Sequence, residues 1–175
     1  FHAEGAMRQI KSKILPLKGF LPLREKIRAE GGKVVFTNGC FDIIHRGHVE
    51  YLEKARSYGD CLVVGMNSDK SVGEIKGPER PIVLQDDRAI VLAALQMVDY
   101  VIIFDEPTPA DLIEAIHPDI LAKGADWSEE QIVGADTVKA GGGEVVRIEL
   151  TDDRSTSSII DKILSTAKGA KNGTA

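Results

Sequence analysis

The fold class predicted for this sequence is α/β: a Rossmann-like, doubly wound sheet of about five parallel strands. Three observations carry that prediction. Short β-branched runs recur along the 175 residues, segments of helical period separate them, and a polar cluster follows each run. Runs that are apolar throughout belong to strands buried on both faces, and strand, helix, strand repetition in one sheet implies right-handed parallel crossovers.

Taken in order, "LREKIRAEGG" (23–32) predicts a leading helix closed by glycines, and "KVVFTN" (33–38) the first strand. Val49, Leu52 and Ala55 then fall near one side of a helix. "CLVVGMN" (61–67) is the second strand, and "EIKGPERP" (74–81) is too rich in glycine and proline for a helix. Ile90, Val91, Ala94, Leu95 and Val98 form a broad helical stripe. It opens on Asp86, Asp87 and Arg88, whose acids suit the helix dipole and receive no chemical role. "YVIIF" (100–104) is the third strand. Leu112, Ile113 and Ile116 mark a helix that must stop before Pro118. "DILAKG" (119–124) and "EVVRIEL" (144–150) complete the sheet, with Ser128 and Gln131 between them as a capping box. Ile159, Ile160, Ile163 and Leu164 mark the last helix.

Composition bounds the function. At 43% apolar and 28% charged the chain reads as one globular domain, placed at 7–166. "FHAEGA" (1–6) reads as an expression-derived leader before Met7, and the small, polar stretch 167–175 as a fraying tail. A net charge of -5, with 22 basic residues mixed among 27 acidic ones, provides no basic stripe for nucleic acid. No apolar run approaches the ~20 residues of a membrane span, and the start lacks a signal-peptide core. Cys40 and Cys61 each sit in an apolar run and read as reduced thiols of a cytoplasmic protein.

In open α/β sheets ligands bind outside the carboxyl ends of the strands. The clusters "TNGCFD", "MNSDKS", "FDEPTP", "KGADW" and "LTDDRSTSS" all fall on that edge. Within "HRGH", His45 and His48 share one side of the first helical turn, beside free backbone N–H groups and the positive dipole end, so the pattern reads as an anion site. Gly47 between them lets a phosphate approach, and Gly39 and Asp42 suit the sharp turn before the helix. A metal site would need a third ligand and the wider spacing of H-E-x-x-H. "STSS" (155–158) offers a cap and further donors at a second helix start. Lys76 and Arg80 lie on a stretch suited to a flap that carries cations to a phosphate. Lys123, at the tip of a buried strand, should reach the crevice, with Asp126 and Trp127 close enough to contact a base or sugar.

These residues resemble a known family. "GCFDIIHRGHVEYLEKARSYGD" is similar to the HxGH signature region of the nucleotidylyltransferases, and "STSS" to their C-terminal Ser/Thr signature. "VVGMNSDKSVGEIKGPERPI", "VLAALQMVDYVIIFDEPTPADLI", "HPDILAKGADW" and "GGGEVVRIEL" resemble the heptose 1-phosphate adenylyltransferase branch, over about residues 19 to 165. The resemblance implies a nucleotidylyltransferase fold and transfer of AMP from ATP to D-glycero-D-manno-heptose 1-phosphate. The products would be ADP-heptose and pyrophosphate, for lipopolysaccharide core assembly. It also implies Mg²⁺ carried on the ATP phosphates, a homo-oligomer, and a stand-alone enzyme served by a separate kinase.

By motif match His45, His48 and Lys123 would be catalytic. Cys40 and Phe41 would line the nucleotide, and Lys76 would contact phosphate. Ser155, Thr156 and Ser157 would hold the β- and γ-phosphates, with Asn38, Gly39, Gly47, Arg80, Gly124 and Asp126 as further binding positions. Arg154 departs from the family pattern, which usually has a small residue there. Two rivals remain. A cytidylyltransferase for glycerol 3-phosphate usually carries R-T-E-G-I-S-T-T, whose arginine, glycine and isoleucine are missing from "LTDDRSTS". A non-catalytic nucleotide sensor would have less reason to keep both histidines, Lys76 and Lys123.

Overall fold

A computed structural model describes residues 9–149 and 155–172. Five parallel strands, β1 (Val34–Gly39), β2 (Cys61–Asn67), β3 (Tyr100–Phe104), β4 (Ile120–Gly124) and β5 (Glu144–Ile148), form one sheet in the order β3-β2-β1-β4-β5. The chain first builds outward from β1 through β2 to β3, then returns to the other side of β1. The order therefore reverses between β1 and β4, and a crevice opens at their carboxyl ends.

Helix α1 (Leu17–Ala29) precedes the sheet, α2 (Arg46–Arg56), α3 (Asp69–Lys76), α4 (Gln85–Ala94), α5 (Ala110–Ile116) and α6 (Ala135–Ala140) connect its strands, and α7 (Thr156–Asn172) follows β5. Because side chains alternate across a strand, each central strand feeds two cores. Val35, Leu62, Val64 and Met66 pack with Leu52 and Ala55 of α2 and with Ala89, Leu92 and Ala93 of α4. Val34, Phe36 and Val63 pack on the other face with Phe20 of α1, Ile113 and Ile116 of α5, and Val138 of α6. Arg24 is buried among them because it caps α5: Nε donates to the Ile116 carbonyl and Nη2 to that of His117, with Asp119 3.1 Å away. His117 adopts φ +46 and ends α5 before Pro118.

The expected elements are present, with four corrections. First, Lys76 is not in an irregular stretch. Ser68 caps α3 by accepting from the Ser71 N–H, and the helix runs to Lys76 before Gly77, at φ +99, breaks it. Only the residues from Gly77 onward are irregular. Second, the stripe assigned to α4 is displaced by one residue. The buried side is Arg88, Ala89, Leu92 and Ala93, Val91 is 46% exposed, and Leu95 and Val98 lie beyond the helix. In "AIVLAALQMV" two overlapping stripes have helical period, so only the neighbouring strands select between them. Third, β5 is an edge strand with Glu144 and Arg147 exposed, not one buried on both faces. Fourth, Ile163 and Leu164, two of the apolar residues that mark α7, are more than half exposed. Residues 1–6 and Arg154 lie outside the described residues. Ser128 and Gln131 do form the capping box, on a 3₁₀ turn at Glu129–Gln131.

Candidate active site

β1 delivers Asn38 and Gly39 to the crevice, and the chain must then reverse into α2. Phe41 makes that turn at φ +47, a conformation non-glycine residues rarely adopt. Its ring lies against Gly39, where an added Cβ would come within 3.1 Å, and 5.3 Å from the His48 ring.

His45 is not inside α2 but is its N-cap, which corrects the sequence reading. Its Nδ1 accepts the Gly47 N–H at 3.1 Å, while His48 Nδ1 faces the His45 N–H at 3.4 Å. The His48 N–H donates to the His45 carbonyl. The first-turn amides at 47 and 48 are thus already engaged, and the imidazoles replace them as donors. A ring whose Nδ1 accepts a hydrogen bond is neutral at that atom, so the network assigns the proton of each imidazole to Nε2. Desolvation, with the charges of His45 and Lys76, pushes the His48 pKa down to about 4.

Two lobes make up the cleft. One, of about 400 Å³, lies between the starts of α2 and α7 and is lined by His45, Gly47, Tyr51, Gly124, Asp126, Ser155 and Ser157. The other, of about 460 Å³, is lined by Asp42, Asn67, Arg80, Pro107, Thr108, Pro109 and Gln131. Asn38, Gly39, Cys40, Phe41, His48, Lys76, Lys123, Trp127 and Thr156 line both. Every candidate site residue named from the sequence thus borders one cleft.

Some of these side chains are committed locally. Ser155 Oγ accepts the Ser158 N–H at 3.0 Å as the α7 cap, and Thr156 donates to the Ile43 carbonyl, tying α7 to the β1–α2 turn. Arg80 donates from Nε to Asp42 at 2.6 Å. Burial lowers the Lys123 pKa to about 8, opposed by Asp126 and Cys40, and its Nζ sits 6.0 Å from the Trp127 ring centroid. Burial likewise raises the Cys40 thiol. Both cysteines are free.

The sequence reading missed three features. Tyr51 reaches the first lobe from the turn after His48, its hydroxyl 2.8 Å from Thr37 Oγ1; the i, i+3 spacing was the available signal. Asn67 and the 107–109 loop join the second lobe from the polar clusters after β2 and β3. Arg88, given no role from the sequence, is 1% exposed and donates to the carbonyls of Cys40, Asn67 and Val83 and to Asp69. No local pattern distinguishes such an arginine from a solvated one. A separate cavity of about 360 Å³ near Arg24, His117 and Gly142 lies at the amino ends of β4 and β5, where the arginine is committed to carbonyls.

Residues 36–161 match the cytidylyltransferase-like family. The chain belongs to that family. It is accordingly a nucleotidyltransferase, with the α/β fold of such enzymes. It is similar to the bifunctional protein HldE of Methylobacillus flagellatus, 54% identical over 153 residues, and of Geobacter sulfurreducens, 49% identical over 163 residues. These matches cover 87% and 93% of this chain but only 31% and 32% of the relatives, so the chain spans about a third of their length. Among solved structures, a lipopolysaccharide core biosynthesis protein from Thermoplasma volcanium superposes with a TM-score of 0.59 at 28% identity, over 70% of this chain and all of that one. A pantoate-β-alanine ligase from Francisella tularensis shares the fold, with a TM-score of 0.57 at 17% identity, over 82% of this chain and 68% of that one. No helix among the described residues is long and apolar enough to cross a membrane.

Proposed function

We propose that this cytidylyltransferase-like chain transfers AMP from ATP to D-glycero-D-manno-heptose 1-phosphate, yielding ADP-heptose and pyrophosphate in the cytoplasm for lipopolysaccharide core assembly. The observation that carries the reading is the wall shared by the two lobes. His48, Lys76 and Lys123 border both, so a triphosphate in one lobe and a second phosphate in the other meet the same donors. The first lobe suits the triphosphate because two helix starts converge on it, and the positive ends of helices favour anions. The name of the Thermoplasma protein supports the role in lipopolysaccharide core assembly, and the similarity to the HldE relatives is consistent with the heptose branch that the motifs resemble.

The chemistry then needs little from the protein beyond positioning and charge. With a second pKa near ~6, a sugar phosphate is largely a dianion at neutral pH and attacks without a general base. Its oxygen bonds to the α-phosphorus as the bond to the β-phosphate's bridging oxygen breaks, and pyrophosphate leaves with the electron pair. The Nε2–H groups of His45 and His48 would donate to α-phosphate and bridging oxygens as charge develops, and Lys123 would add a cation. The Ser155, Thr156 and Ser157 segment would hold the β- and γ-phosphates. Mg²⁺ is part of this reading and would come carried on the ATP phosphates. When bound, it neutralises phosphate charge. Leu84 and Val91, exposed on one side of α4 and seven residues apart, support a homo-oligomer as part of this reading.

A pyrophosphate-release matrix of ATP or CTP against heptose 1-phosphate or glycerol 3-phosphate tests the proposal. Turnover is expected only with ATP and the heptose, and His48→Ala should lower kcat by about 10²-fold or more without unfolding the chain. Turnover only with CTP would overturn it, and turnover with no pair would favour a nucleotide sensor.

A further inference from the structure

We propose that Asp42 is a positioning residue for this transfer, holding Arg80 and the strap of residues 80–83 against the second lobe. The inference rests on the two-lobe reading above. Asp42 lies at the strand-to-helix turn, borders the second lobe and is 3% exposed, and both of its carboxylate oxygens accept from the strap. One oxygen accepts Arg80 Nε at 2.6 Å, and the other accepts the N–H groups of Ile82 at 2.8 Å and Val83 at 2.9 Å.

Little else holds the middle of this strap. Ile82 and Leu84 are 55% and 64% exposed, and the chain enters the strap at Gly77 with no side chain to pack. At its far end Arg88 Nε donates to the Val83 carbonyl, which fixes the exit. Between these points the buried carboxylate gathers three donors. Desolvation would raise its pKa, but the Val83 and Ile82 amides and Arg80 outweigh that and hold it below the ordinary carboxylate range.

The consequence is a directed cation. Asp42 engages Arg80 at Nε, which leaves donors on the two Nη nitrogens for a ligand. Arg80 lines the second lobe and not the first, so it faces the acceptor phosphate and not the triphosphate. Asp42 should therefore influence acceptor binding through Arg80, because both of its carboxylate oxygens are engaged by the strap.

Steady-state kinetics of Asp42→Asn, Arg80→Ala and the double variant test this. Asp42→Asn keeps the shape of the side chain, and so the fold, whereas an alanine would strand two amides. We expect the KM for the acceptor phosphate to rise about tenfold and the KM for ATP to change by less than about twofold. In the Arg80→Ala background the same substitution should add almost nothing, because both changes remove one interaction. Additive effects, or a rise confined to the KM for ATP, would overturn the proposal. Amide hydrogen exchange at Ile82 and Val83 provides a second readout that needs no substrate. Faster exchange is expected in Asp42→Ala, which leaves both amides without their acceptor, and unchanged exchange in that variant means that the carboxylate does not hold the strap. Turnover with a different acceptor would sink the heptose assignment alone, since the same non-additivity is then expected on that acceptor.

Discussion

His48 remains neutral at physiological pH because burial removes the water that would solvate its charged form and because His45 and Lys76 oppose a second cation. The native pKa, about 4, is below the ordinary 6.5, so the unfolded chain binds more protons between those values and stability falls as pH drops through that window. Lys123 has the opposite relevance, since its charge is lost above about 8. We predict that kcat/KM shows no limb near 6.5 that belongs to His48 and declines above about 8 as Lys123 deprotonates. The Lys123→Arg variant should move that alkaline limb to higher pH, because a guanidinium does not titrate there. A pH profile of both proteins measures this, and a limb near 6.5 that vanishes in His48→Asn would contradict the neutral imidazole.

At the scale of elements, the α6 start shows where backbone and packing demand the same residue. Gly134 sits at φ +85, and an added Cβ would lie 2.6 Å from Ile113 Cδ1. Gly142 has nearly the same φ, +82, but open space around it. Gly134→Ala should therefore destabilise the fold by about 2–4 kcal/mol, against about 1 kcal/mol for Gly142→Ala. Urea unfolding of the two variants checks the ordering, and equal losses would show that the Ile113 contact does not matter. The same contrast explains which elements could be read in advance. The β-branched runs, the α5 stop at Pro118 and the 128–131 box rest on local chemistry and appear as expected. The register of α4 and the extent of α3 depend on what lies across the interface, and a periodic pattern does not contain that information.

For the whole molecule, a ligand that binds only the native state adds stability by mass action. At a concentration about 100 times its Kd, ATP with Mg²⁺ should contribute about 2.7 kcal/mol, read as a rise in Tm, and CTP at the same concentration much less. An equal rise with CTP would contradict the preference for adenine. The cleft itself was legible as a location, because parallel α/β topology sends every strand's carboxyl end, and hence each polar cluster, to one edge.

The sequence by itself determined the alternation of strand and helix, the common edge of "HRGH", "KGADW" and "STSS", and the family these motifs resemble. Those properties follow from local periodicity and from topology that permits few alternatives. Only the tertiary structure decided that His45 caps α2 through Nδ1, that Arg88 is buried, and that Asp42 meets Arg80 across 38 positions of chain. Each depends on where a side chain ends after segments distant in sequence have packed, and the desolvation that tunes His48 and Lys123 exists only in that packed state.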